Sequence, residues 1–157
     1  LEDLEPLAYD LVMQPVSSCY VENLEGLYRS VAGVLKPDGL YIVQHKQPIS
    51  LQCSPFPVHG NYRVELAASV RGALPPVEGS EHRESGTLEY LHSLESLIGG
   101  LCAHGFYIED LREPDHSRSD ARLGSFAHRC QMIQPYLAIK ARRLPDSGVD
   151  FSTIIAP

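Results

Sequence analysis

No apolar run in the 157-residue chain approaches the roughly 18 residues that a bilayer-crossing helix needs. The opening segment, LEDLEPLAYD, is too acidic to be a secretory leader. Basic residues are in deficit, 13 against 20 acidic, for a net charge of −7. That balance argues against nucleic acid and anionic membrane surfaces as partners, since both reward a basic face. The four cysteines, Cys19, Cys53, Cys102 and Cys130, form no CxxC pair, so they suggest neither a zinc ribbon nor a thioredoxin-type site and are expected to be ordinary reduced thiols. His59, His82, His104, His116 and His128 offer no HxxxH or HxH spacing, which predicts surface histidines and no metal site. A glycine-rich GxGxG turn is also missing from all 157 residues. What is present, 43% hydrophobic and 8% aromatic residues, suffices for one globular domain with its own core. A soluble, cytoplasmic chain acting on a small molecule is the expectation.

The pattern along the chain is that of the α/β class. The segment YDLVMQP (Tyr9 to Pro15) reads as a buried strand that stops at a proline. Leu24, Leu27, Tyr28, Val31, Val34 and Leu35 then recur at steps of three and four, one apolar face of a helix from about Val21 to Lys36. Asn23, Ser18 or Ser17 could cap its start, and Pro37-Asp38-Gly39 ends it. LYIVQHK follows as a second strand, parallel to the first through a right-handed crossover. Neither strand alternates cleanly, which predicts helices on both faces of the sheet. Ile49 to about Tyr90 is rich in proline and too long for an ordinary connection. It is read as a functional excursion containing one strand-like piece, YRVELAAS. Ser93 is a plausible cap for a helix carrying Leu94, Leu97, Ile98, Leu101 and Cys102, with Gly105 as its stop. Gly99 and Gly100 are expected to let this helix approach the sheet closely. FYIEDLREP reads as a strand ending at Pro114, and CQMIQPYLAIKARR as a final long strand with Pro135 at its beginning or at a bulge. Lys140, Arg142 and Arg143 form its solvated end.

These pieces, in this order, resemble the second half of a class I S-adenosylmethionine-dependent methyltransferase. YDLV, a gap, a helix ending in LKPDG and a further strand are similar to the family's fourth strand, the following helix and its fifth strand. LHSLESLIGGLCAHGFYIEDLREP looks like its last helix and sixth strand, and PYLAIKARR like its antiparallel seventh strand. The resemblance implies a partial Rossmann-like sheet over residues 1–143, with 49–90 as a long insertion near the substrate and 144–157 as a tail. The family's glycine-rich cofactor loop and the acidic residue that holds the ribose are not matched. The chain is therefore read as a carboxyl-terminal piece that begins inside the cofactor site, with S-adenosylmethionine binding by this chain alone weak or absent.

By the same resemblance, Leu1 and Glu2 correspond to backbone meeting the adenine. Gln14, Pro15 and Val16 line the methionine end of the cofactor, and Tyr20 walls the same pocket. His45, near a strand end, is the candidate catalytic base on the strength of an ordinary histidine pKa of about 6.5. His92 is a contact at the start of the later helix. Two rival readings remain open. One is a non-catalytic relative that pairs with itself or another chain through the sheet edge from Tyr9 to Gln14, since open edges recruit partners. The other is half of a dinucleotide-dependent oxidoreductase.

Overall fold

A computed structural model describes residues 3–145. Strand β1 (Tyr9–Gln14) leads through a short 3-10 turn (Ser18–Tyr20) into α1 (Leu24–Val34) and β2 (Leu35–Lys46). The segment read above as an insertion follows, with α2 (Pro48–Gln52) and a two-stranded ribbon of β3 (Gly72–Ala73) and β4 (Tyr90–Leu91). A π-helical turn (Glu95–Gly99) runs into α3 (Gly100–Ala103), then come β5 (Phe106–Arg112), α4 (Phe126–Cys130) and β6 (Tyr136–Arg143). The main sheet has the order β1-β2-β6-β5. β1 and β2 are parallel, and β6 is antiparallel to both its neighbours. The α/β class and the antiparallel last strand are thus as expected, with the last strand inserted between β2 and β5.

Local chemistry accounts for the boundaries. Asn23 caps α1, its Oδ1 accepting from the Gly26 amide at 2.9 Å. The helix stops at Val34, two residues earlier than the periodicity suggested, because Pro37 disfavours helical geometry at Lys36. β2 begins at once, at Leu35, and residues 36–39 loop out, so that Tyr9 pairs with Leu35 but Leu11 pairs with Leu40. Asp38 takes the left-handed conformation this loop needs, with φ of 64°. Ser93 caps the later helix by accepting from the Ser96 amide at 3.0 Å, and Gly105 ends it with φ of +80°.

The core lies between one sheet face and the helices on it. Tyr28, Val31, Leu97 and Leu101 of the helical layer pack on Tyr41, Val43, Leu137, Ile139 and Ala141. Tyr28 is fully buried and donates its hydroxyl to the Leu97 carbonyl at 3.1 Å, which joins the two helical segments. A Cβ on Gly100 would stand 3.0 Å from the Tyr28 ring. The close approach at Gly100 is therefore helix to helix and not helix to sheet, while Gly99 meets only its own helix neighbour Glu95.

Three further expectations are corrected. Burial alternates residue by residue along β2 from Leu40 to His45 and throughout β6, so among the described residues helices cover one face only. On the other face Leu11 and Met13 are 46% and 66% exposed. YRVELAAS forms no strand, only an isolated bridge from Val64 to Cys53. Its apolar residues have no sheet edge to complete. Arg143, expected in solvent, is buried and donates to the Leu35 carbonyl. Most of the presumed tail, residues 146–157, lies outside the described residues.

Gly39 and Gly33 give opposite expected outcomes in urea unfolding. A Cβ at Gly39 would lie 2.8 Å from the Lys36 carbonyl oxygen, a backbone atom that cannot swing away, so Gly39→Ala is expected to destabilise by about 1–3 kcal/mol. At Gly33 nothing lies within 4 Å, and Gly33→Ala is expected to stabilise by up to about 1 kcal/mol through helix propensity.

Candidate active site

In open α/β sheets ligands bind beyond the carboxyl ends of the parallel strands. Here that region lies past Gln14 of β1 and Lys46 of β2. Gln14 is half-buried, and both ends of its amide are engaged: Nε2 donates to Ser17 Oγ at 3.0 Å, and Oε1 accepts from the Tyr41 hydroxyl. It serves here to brace the turn. Pro15 is exposed, Val16 half-buried, and Tyr20 donates its hydroxyl to Glu84 Oε2 at 2.7 Å. Val16 and Tyr20 share an open cavity of about 470 Å³ with Lys46, His82, Arg83 and Tyr136. Leu1 and Glu2 lie outside the described residues. The structure therefore brings Val16 and Tyr20 together on one cavity, with Pro15 on the exposed approach between them and β1.

His45, the candidate base, lies inside the fold. It is completely buried, and its Nδ1 lies 2.6 Å from Ser18 Oγ. Burial, with a smaller contribution from His92, lowers its pKa to about 4. An imidazole so depressed is neutral at neutral pH but a weak base, and solvent does not reach it. Through Ser18, His45 holds the turn that carries Val16 to Tyr20. His92 contacts the same region, its Nε2 lying 2.8 Å from the Val21 carbonyl oxygen. A larger groove of about 1080 Å³, between α1 and β5, contains none of the other candidate residues.

The feature that sequence reasoning missed is a buried polar cluster where the insertion meets the sheet. Glu89, fully buried, binds Lys46 Nζ through Oε1 at 2.5 Å and the Arg83 guanidinium through Oε2. Lys46 also donates to the His82 carbonyl at 2.8 Å. Beside them Arg129, 2% exposed, donates to the Ser54 carbonyl at 2.7 Å and the Ser50 carbonyl at 2.5 Å. His82 and His128, expected at the surface, are buried at 6% and 8% exposure. Burial, together with the cations Arg129, Lys46 and Arg83, lowers the His82 pKa to about 3. The one hint in the sequence was Lys46 itself, a lysine closing LYIVQHK, a segment read as a buried strand. Among the described residues no group of His, Cys, Asp and Glu could hold a metal, and the four cysteines are free thiols.

No protein-family model and no curated protein sequence matches the chain. Solved structures do. An S-adenosylmethionine-dependent methyltransferase of Mesorhizobium loti is 21% identical with a TM-score of 0.66, over 89% of this chain and 64% of that one. An enzyme of Listeria monocytogenes described in the same terms is 18% identical with a TM-score of 0.59, over 92% and 66%. A Burkholderia thailandensis 1,6-didemethyltoxoflavin-N1-methyltransferase, solved with 1,6-didemethyltoxoflavin and S-adenosylhomocysteine bound, is 12% identical with a TM-score of 0.52, over 91% and 48%. The chain thus has the Rossmann-like fold of class I methyltransferases and spans less than two thirds of the length of these chains.

Two of the buried histidines, His45 and His82, make stability depend on pH. Their folded pKa values, about 4 and about 3, lie below the ordinary value near 6.5, so the unfolded chain binds the extra protons. Stability is expected to be complete above about pH 6.5 and to fall toward pH 4, by about 2 kcal/mol per histidine between pH 7 and pH 5. Urea midpoints across that range check it, and His82→Gln should flatten the slope. Glu89→Gln should cost about 3–5 kcal/mol at pH 7, because it leaves Lys46 and Arg83 buried without a counter-charge.

Proposed function

We propose that the chain provides the carboxyl-terminal part of an S-adenosylmethionine-dependent methyltransferase that acts on a small molecule. The observation that carries this reading is the parallel β1–β2 pair whose carboxyl ends, with Val16 and Tyr20, open onto a cavity roofed by the insertion. The fold shared with the methyltransferases above supports it, and in one of those structures a small molecule and the demethylated cofactor are bound.

The residues present fit one end of the cofactor. Pro15, Val16 and Tyr20 offer an apolar, partly exposed wall suited to the methionine portion, and Gln14 holds that wall through its bonds to Ser17 and Tyr41. The glycine-rich turn that would cradle the remainder does not occur in these 157 residues. When bound, S-adenosylmethionine supplies an activated methyl group for in-line displacement. The protein's part is then to hold the acceptor at the correct distance and angle, and a base is required only if the acceptor must lose a proton. His45, through Ser18, ties the turn to β2, and Tyr20, through Glu84, ties it to the insertion. Segment 49–90 shapes the acceptor side in this reading.

A second reading is favoured by a separate observation. β1 is an edge strand of the described sheet, with Tyr9, Leu11 and Met13 exposed at 38%, 46% and 66%. A non-catalytic chain that pairs with itself or with another chain through this edge would cover them.

Calorimetry separates the two. The chain alone is expected to bind S-adenosylmethionine more weakly than micromolar, whereas the full-length gene product should bind S-adenosylhomocysteine and not a nicotinamide cofactor. A full-length product indifferent to S-adenosylhomocysteine sinks the enzyme reading. Light scattering that shows a clean, soluble monomer of this chain counts against the pairing reading.

A further inference from the structure

A hydrogen-bond sequence that runs from α4 into the insertion ends in a ring nitrogen with nothing to bind. Arg129 Nε donates to Ser50 Oγ at 3.4 Å, and Ser50 Oγ lies 2.9 Å from His82 Nε2. Ser50 Oγ accepts from Arg129, and among the described residues its own proton meets no acceptor other than His82 Nε2, so with the ring held neutral by burial and by three nearby cations that proton goes to the imidazole. His82 Nε2 is then the acceptor, and the ring proton sits on Nδ1. Nδ1 is buried and has no partner. An orphaned buried donor costs about 1–3 kcal/mol unless something accepts from it.

The charges around it point the same way. Lys46, Arg83 and Arg129 are 7%, 8% and 2% exposed, against one buried carboxylate, Glu89. Glu89 is shared between Lys46 and Arg83, so among the described residues Arg129 has no carboxylate partner. Its bonds to Ser54 O, Ser50 O and Ser50 Oγ use three of five N–H donors, and the Tyr62 ring lies 4.7 Å from the guanidinium. A buried, unpaired cation is costly, and an anion relieves the cost. His82, Arg83, Arg129 and Ser50 line one cavity of about 180 Å³, which at about 30 Å³ per water holds a small ionic group and its neighbouring atoms. The carboxylate in its lining, Glu65, is exposed. His82 and Arg83 also line the outer cavity that contains Val16 and Tyr20.

We propose that this inner chamber is an anion site, in which His82 Nδ1–H, Arg129 and Arg83 hold the carboxylate or phosphate group of the methyl acceptor while its body extends into the outer cavity toward Tyr20. The word acceptor rests on the methyltransferase reading, whereas the anion site does not.

The test uses the 157-residue chain without cofactor, labelled with nitrogen-15 at histidine, with the His82 resonance assigned by His82→Gln. Inorganic phosphate and benzoate are titrated at constant ionic strength, with uncharged benzamide as the shape control. At least one anion is expected to shift His82 Nδ1 saturably, with a Kd on the order of 1 mM, and to raise the Tm, while benzamide does neither. The tighter of the two identifies the group. Arg129→Lys, which keeps the charge but loses the fork, should weaken binding about tenfold. If that variant does not fold, the contrast between benzoate and benzamide in the unaltered chain still decides. A His82 signal unmoved by both anions, or moved equally by benzamide, overturns the site. Failure of S-adenosylhomocysteine binding by the full-length product would instead remove the methyltransferase reading and leave the anion site standing.

Discussion

One buried carboxylate holds the two parts of this molecule together. Glu89 lies in the insertion, just before β4, yet one of its oxygens takes the ammonium of Lys46 from the end of β2, 43 residues away. The other takes Arg83 from the insertion itself. Burial of three charges costs free energy that good geometry only partly returns, so such a cluster is weak evidence for stability. It is better evidence for a fixed arrangement. Lys46 also bonds the His82 carbonyl, so the sheet end sets the position of the segment over it. The outer cavity beside Tyr20 and the inner one beside Arg129 exist because this segment is held at a distance and not collapsed onto the strands.

The sheet beneath works on a different principle. Its helical face is a dry core of Tyr28, Tyr41, Phe106, Leu101 and Ile139, and its register follows from strict alternation along β6. The central position of β6, antiparallel to both neighbours, brings Tyr136 to the same end as Lys46, where both meet the cavity. The rigid part of the site is therefore built by strands, and the adaptable part by a segment with little regular structure.

How far the sequence revealed this depended on how local each cause was. β1, α1, the Asn23 and Ser93 caps and the Gly105 stop were readable because a cap or a left-handed glycine acts within four residues. The early stop at Val34 was readable only in part, because the proline's influence was counted but the looping out of 36–39 was not. YRVELAAS was read as strand-like from its residues. A strand needs a continuous ladder, and there the pairing is a single bridge from Val64 to Cys53. His45 and His82 carried no warning, since their low pKa values come from burial among groups brought in from elsewhere in the chain, Ser18 and His92 at His45, and Ser50, Lys46 and Arg129 at His82. Arg129 was invisible for the same reason: its partners Ser50 and Ser54 lie more than seventy residues upstream.

The bond from Tyr20 to Glu84 spans 64 residues and joins the turn after β1 to the insertion. It makes the two sides of the site thermodynamically reciprocal. A ligand that orders the turn lowers the entropy cost of ordering the insertion, and by linkage a ligand under the insertion returns the same factor to the turn. Cooperativity between two dissimilar small molecules can thus arise in a single small domain, without subunits and without any large change of shape.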